Sequence, residues 1–418
     1  MKKSLVLKPD YYDKFSCVGS SCQQNCCREW SIHISKEEYR RINNTLKSHE
    51  SFSKGSFFHK LAPAVRTDSN YTELRLNEKN CCPFLNKEKL CLLQCNFGKE
   101  LLPDICASFP RVLFDNGDIV CAGLSPSCEA VLELLPTHRP ITFVIQKEDI
   151  SSAIQPLPVW RLYPENRYPF FACSQDIYSF CILLLQASDF CLEDRLILLG
   201  LSLRHIETLS QNGHAEKIPS YTEHYIRMLE NADDIRKLMP EIKPNTAAFL
   251  SNITSTDIFS VGSSSGFQHL IKQTFDNLNI SVIDVDENGE KQFSASQETL
   301  ELYRKKKEKL EKVLEKGPFF IENLMVTLLL YNNLPFQISK SRSLMDGYLY
   351  FCWTYSCLKF VLTANCDKFT IPKDMIPVCV TFLRHWAHNN SLAEFGIRAL
   401  HENGSDTIAH MALLLKSC

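Results

Sequence analysis

The spacing of apolar residues changes character along the chain. Over the first 130 residues, short apolar runs alternate irregularly with polar segments, and one helix is well signalled. Ser35 followed by Glu38 makes a capping box, with Tyr39 and Ile42 on one face of the helix it opens. Prolines then crowd at positions 136, 140, 156, 158, 164 and 169, which reads as a connection. From about Ser174 the apolar runs lengthen, and Asp176–Ala187 and Leu192–Leu209 predict packed helices. Ser220 with Glu223 predicts the cap of another helix running to about Leu238. Residues 249–293 are rich in Ser, Asp and Asn, and Asp286-Glu287-Asn288-Gly289 marks a short hairpin. Ser294 with Gln297 predicts the cap of a helix that stops at Gly317-Pro318, with Leu300, Tyr303, Leu310 and Leu314 on one stripe. Further helices are expected from Glu322 to Tyr331, Leu344 to Thr363, Val378 to Asn389 and Ser391 to Glu402. The architecture expected is mainly α. An irregular, cysteine-rich metal-binding module (1–135) is followed by the Pro-rich connection (136–170) and a mostly helical domain (171–418).

Composition narrows the class without naming it. With 418 residues, 44% hydrophobic and 22% charged, the chain can bury a sizeable core. A net charge of −2 marks it neither as a nucleic-acid binder nor as a membrane-surface binder. Only 14 glycines are present, which weighs against β-rich and glycine-loop folds. Arg304, Lys305, Lys306, Lys307, Lys309 and Lys312 share one helix with Glu308, Glu311 and Glu315. A solvated face is the expectation there, and a docking surface for an acidic partner the rival. The apolar run Leu5-Val6-Leu7 is too short for a signal-peptide core. The stretch Gly347–Ala364 carries Lys359 and several hydroxyls, so a buried helix explains it better than a membrane span. The expected location is the cytoplasm, where thiols stay reduced and disulfides drop out.

That matters because the chain has 19 cysteines, eleven of them within the first 128 residues. Eight of these fall in three blocks: Cys17, Cys22, Cys26 and Cys27, then Cys82-Pro83-Phe84-Leu85 with Cys91, then Cys106 with Cys128 downstream. Thiolates are soft ligands, and several on short irregular loops suit zinc or an iron–sulfur cluster. Zinc asks for four ligands in a tetrahedron, with His33 available to replace one sulfur. A cluster asks for four thiolates. Eight candidates exceed one site of either kind, so one site with spare thiols and two sites both stay open. Cys81, Cys95 and Cys121 are ambiguous, and the remaining eight read as small hydrophobes inside apolar helices.

These blocks, with Phe109-Pro110-Arg111 after Cys106, resemble the cysteine-rich zinc- or iron-chelating domain family. The fuller resemblance is to its flagellin lysine-N-methylase (FliB-type) branch, through Trp30 after the first block and Leu124-Ser125-Pro126-Ser127-Cys128 after the third. Leu184-Leu185-Gln186 with Leu192-Glu193-Asp194-Arg195-Leu196 is similar to its early helical segment. Glu322-Asn323-Leu324 with Asn332-Asn333-Leu334-Pro335-Phe336 is similar to its late one. Cys81 and Cys95 depart from the pattern. The resemblance implies methyl transfer from S-adenosylmethionine to lysine side chains of a protein such as flagellin. It also implies a cysteine-bound metal, a 4Fe–4S cluster first and zinc second.

The usual S-adenosylmethionine fold is not written in the chain. No strand ends in an acidic-x-Gly-x-Gly loop, and Gly262-Ser263-Ser264-Ser265-Gly266 reads as a flexible loop. The Cys-x3-Cys-x2-Cys spacing is also missing. Arg111 is a candidate to hold a cofactor carboxylate or a thiolate charge, and Trp30 to stack on adenine, with packing the alternative for each. No catalytic base is legible. The rival to an enzyme is a non-enzymatic metal carrier or adaptor, and a zinc-stabilised nucleic-acid binder ranks last.

Overall fold

The structure, a computed structural model, describes residues 4–30, 32–53, 55–116, 119–148, 159–161, 169–239, 241–254, 264–285, 291–294, 296–336 and 343–418. The chain opens with β1 (Ser4–Pro9), β2 (His33–Ile34), α1 (Lys36–Ser48), β3 (Phe58–Lys60) and β4 (Thr72–Leu74). Two short helices follow, α2 (Leu92–Phe97) and α3 (Asp104–Ser108), then β5 (Arg111–Asp115), β6 (Ile119–Leu124), α4 (Glu129–Leu134), β7 (Phe143–Glu148) and β8 (Val159–Arg161). Among the described residues that follow, the elements are helices and one antiparallel strand pair: α5 (Ser174–Leu185), α6 (Leu192–Gln211), α7 (Ile218–Leu229), α8 (Ala232–Leu238), α9 (Thr246–Thr254), α10 (Ser265–Asp276), β9 (Ser281–Val285) and β10 (Lys291–Ser294). The last six are α11 (Gln297–Leu314), α12 (Phe320–Asn332), α13 (Leu344–Ala364), α14 (Ile376–Trp386), α15 (Asn390–Glu402) and α16 (Ile408–Ser417). The mainly α expectation holds.

The N-terminal segment is irregular between its elements, as expected, and it also carries strands that were not. Five strands form one mixed sheet in the order β7-β1-β6-β5-β8, with β1 parallel to β6 and antiparallel to β7. Leu5 pairs with Ile119 and Leu7 with Cys121, and all six residues of β6 are buried. A strand covered on both faces reads as a continuous apolar run, so alternation could not reveal it. Two of these strands, β7 and β8, lie inside the segment read as a Pro-rich connection; Pro156, Pro158 and Pro164 lie outside the described residues. The hairpin strands β9 and β10 are present, while their turn, 286–289, also lies outside.

Two hydrophobic cores result. The larger joins Val6, Val112 and Val120 of the sheet to α5, α6 and α12–α14. Residues near both ends of the N-terminal segment therefore pack with the helical body. The smaller core gathers Ile34, Ile42, Leu74, Phe84, Leu93 and Leu101 between the cysteine blocks. Helices α12 and α13 are apolar all round, so no single face can bury them, and both sink into the main core. In α13 only Asp346 and Lys359 escape full burial. Among the described residues, no helix is long and apolar enough to cross a membrane.

Caps explain where sequence boundaries held or slipped. Ser35 accepts from the Glu38 N–H (3.3 Å) and Glu38 accepts from the Ser35 N–H (2.9 Å), closing the expected box. Ser220 caps nothing: Pro219 sits in the first turn of α7, and the Ser220 hydroxyl donates to the Lys217 carbonyl. For α11 the cap is Ser296, which accepts from the Thr299 N–H (3.1 Å); Ser294 ends β10. The stripe on α11 is as expected, with Tyr303 and Leu310 buried. Its basic face is partly clasped inward, since Lys306 and Lys309 (2.7 Å) both pair with Asp367.

The start of α13 lies against the Pro335 backbone. A Cβ on Gly347 would stand 2.3 Å from the Pro335 carbonyl oxygen. Gly347→Ala is expected to cost about 3 kcal/mol through overpacking, read as a lower urea midpoint.

Candidate functional site

The three cysteine blocks are brought together by backbone pairing. The Cys82 N–H donates to the Cys27 carbonyl (2.8 Å) and the Glu29 N–H to the Asn80 carbonyl (2.8 Å), zipping the first block to the second. Within the second block, Leu92 N–H donates to the Phe84 carbonyl (2.7 Å), folding Cys82 and Cys91 towards each other. Asn25 fixes the first loop: its side-chain oxygen accepts from the Cys27 N–H (2.7 Å) and its amide donates to the Lys89 carbonyl (3.0 Å).

The electrostatic contacts divide the thiols into two overlapping groups. Cys26, Cys27, Cys82, Cys91 and Cys106 sense one another's charge, and Cys128 senses Cys26 and Cys17, with Cys22 beside Cys128. All eight predicted cysteines thus share one neighbourhood, and Cys81 and Cys95 stand at its rim. Burial pushes Cys82 and Cys128 up to about 11, while backbone N–H groups of Phe84 and of Val131 and Ala130 act in the opposite sense. For Cys91 burial also wins over the N–H groups of Gln94 and Leu93. Donors facing sulfur favour the thiolate, the form that binds metal. In the vicinal pair, the Cys27 thiol hydrogen-bonds Cys26, lowering Cys26 and raising itself; Arg384 adds to the lowering. Cys22 instead donates to Glu129 (3.3 Å), and burial with that carboxylate pushes it up to about 12.

Among the described residues, no three His, Cys, Asp or Glu side chains stand close enough to hold a metal ion. The donor chemistry of the cysteine blocks fits a soft metal. His33 is exposed on β2, in register with Glu73. Cys121 is core filling of β6, and seven of the later eight cysteines are buried likewise, whereas Cys191 is exposed.

Residues the sequence did not single out complete the site. Arg384, in the last turn of α14, donates to the carbonyls of Gln24 (2.6 Å) and Asn25 (3.3 Å) and lies 6.0 Å over the Trp30 ring. It faces Cys26, Cys22 and Cys128, so it holds the thiolate-side charge expected of Arg111. Arg111 itself donates to the Phe15 carbonyl (3.2 Å) and covers the Phe15 ring. His388, just past α14, contacts Ser127 (2.8 Å) through Nε2 and Tyr331 (3.4 Å) through Nδ1. Burial and the neighbouring Arg384 push its pKa down to about 3, so it is neutral near pH 7. Trp30 is half-buried and packs 4.3 Å from His388 and 5.2 Å from Phe109. Glu29 accepts from Ser265 (2.7 Å) and the Gly266 N–H (2.9 Å), and Ser264 caps α10, so part of the supposed flexible loop is a helix start. The sequence signal was the run Arg384-His385-Trp386-Ala387-His388, where an arginine and two histidines interrupt an apolar helix.

Fold and site together define a mainly helical protein carrying a thiol-rich module docked on its C-terminal helices. The chain belongs to the FliB lysine N-methylase family, whose C-terminal domain matches residues 178–414. It is 23% identical over 258 residues to the lysine-N-methylase of Salmonella typhimurium, covering 60% of this chain and 61% of that one. The lysine-N-methylase of Salmonella choleraesuis matches with the same identity and coverage. The flagellar biosynthetic protein FliU of Salmonella muenchen is 29% identical over 132 residues, 31% of this chain and 76% of that one. The chain thus matches less than two thirds of the length of the two methylases. No solved structure is similar to it at a significant level.

Proposed function

We infer that this chain is a protein-lysine N-methyltransferase of the cytoplasm. It takes its methyl group from S-adenosylmethionine and acts on surface lysines of a protein, flagellin first. The observation that carries this reading is the family match across 178–414, together with relatives named as lysine-N-methylases. The flagellar name of a third relative supports the substrate.

In the reaction, the carbon–sulfur bond of the sulfonium breaks as a carbon–nitrogen bond forms to the lysine amine. The amine must first lose its proton, through desolvation or to a neighbouring base. We assign to Cys26, Cys27, Cys82, Cys91 and Cys106 the thiols that would hold a 4Fe–4S cluster or zinc, with Cys17, Cys22 and Cys128 beside them. A bound metal would keep these sulfurs as thiolates and tie the three blocks into one unit.

Labelled S-adenosylmethionine and purified flagellin test the activity, with methylated lysines read by mass spectrometry. Absence of incorporation by anaerobically reconstituted protein favours the carrier or adaptor reading. Metal content is an independent check. Replacing Cys27, Cys91 or Cys106 by Ala is expected to cost metal and soluble yield together, and full metal content in all three variants overturns the ligand set. Brown protein bleached by dithionite indicates a cluster; colourless protein with stoichiometric zinc indicates the alternative.

A further inference from the structure

Away from the three cysteine blocks, the start of α6, the end of α11, the start of α12 and the second half of α13 line a half-open cavity of about 420 Å³. That is within the range of small-molecule sites, roughly 300–1,000 Å³. Its walls combine apolar side chains, among them Leu314, Leu358 and Leu362, with Asp189, Glu193, Arg195, Glu322 and Lys359. Carboxylates outnumber cations here, and the cations are already committed. Arg195 donates to the Phe190 and Leu185 carbonyls (2.7 Å each) and to Glu322 Oε2. Lys359 pairs with Glu193, which also accepts from Tyr355 (2.6 Å).

Glu322 is different. It is 5% exposed, and its second oxygen, Oε1, is buried without any hydrogen-bond partner. Burial outweighs Arg195 and raises its pKa. A buried carboxylate oxygen left bare is costly, and a ligand donor would relieve it. We propose that this cavity binds an organic cation carrying N–H donors, one of which meets Glu322 Oε1. Two sources share that chemistry: the sulfonium methyl donor with its α-ammonium, and the ammonium of a substrate lysine. Only this choice of sources rests on the methyltransferase reading. Glu322 precedes Tyr331 by nine residues on α12, so the cavity lies about 14 Å along that helix from the His388 contact.

Cys191 lines the cavity and is exposed, which gives a probe in the unaltered protein. S-adenosylmethionine and Nα-acetyl-lysine methylamide are added separately, and alkylation of Cys191 by N-ethylmaleimide is followed by peptide mass spectrometry. One of the two is expected to slow labelling at Cys191 at least tenfold, and which one does so identifies the source. Isothermal titration of the same ligand with Leu314→Trp and Glu322→Gln is expected to show affinity lower by about tenfold or more, the loss of one charge-assisted hydrogen bond in the second case. If neither ligand protects Cys191 at saturating concentration, or if folded variants bind as tightly as the parent, the cation site is overturned. Methyl transfer by a protein whose Cys191 is never protected sinks this proposal alone. Protection of Cys191 without any methyl transfer sinks only the enzyme reading.

Discussion

Lys359→Met is expected to lower the stability of the whole chain by about 3–5 kcal/mol, because it leaves Glu193 buried without its cation. Lys359 and Glu193 are each under one-fifth exposed at the side chain, and without Lys359 the carboxylate keeps the Tyr355 hydroxyl and a backbone N–H but no paired cation. Burial alone would push Glu193 up, yet Lys359 and Tyr355 outweigh it and hold the group at about 2, against an ordinary value of 4.5. A carboxylate with a depressed pKa stabilises the fold above its unfolded value and loses that contribution as pH falls through the folded one. The parent protein should therefore lose about 3 kcal/mol between pH 4.5 and pH 2 from this group, and the variant much less. Urea midpoints across that window measure both effects. Adding Glu193→Gln to Lys359→Met should recover most of the loss. An unchanged midpoint in the single variant would mean the pair contributes nothing net.

How much of this was legible in the sequence depends on the range of the forces involved. The start of the helix over Lys36–Ser48 was readable to the residue, because its capping box is local chemistry between Ser35 and Glu38. Helix α13 was readable because a 21-residue apolar segment interrupted by Lys359 has few other places to go. The sheet was not. Strand β1 is six residues long, and its partner β6 begins more than a hundred residues later, so nothing near Leu5 announces Ile119. Thiol clustering was legible as a count and a spacing, and backbone pairing brings the first block against the second through Cys27 and Cys82. Arg384 and His388 were hidden for the opposite reason. They lie in and just past a helix that was expected, and only its docking on residues 24–30 gives them a role. The segments Glu193–Arg195 and Glu322–Leu324, far apart in the chain, meet through the buried Arg195–Glu322 pair.

Arg384→Ala is expected to release the loop that carries the first cysteines while leaving the helical body folded. The guanidinium spans the carbonyls of Gln24 and Asn25, and each charge-assisted bond is worth roughly 1.5–3 kcal/mol. Truncation also strips the cation from beside Trp30 and removes the charge that Cys26, Cys22 and Cys128 face. Losing both bonds costs about 3–6 kcal/mol locally, which converts to at least a hundredfold faster amide exchange over residues 22–28. Amides of α13 should keep their protection, since that helix lies in the other core. Arg384→Lys separates the two contributions: it keeps the positive charge but cannot span both carbonyls, so exchange should fall between parent and Ala variant. If charge alone held the loop, the Lys variant would match the parent. If the loop were held only by its pairing to the second block through Cys27 and Cys82, the Ala variant would match it too, and Arg384 would be a bystander to the thiols it faces.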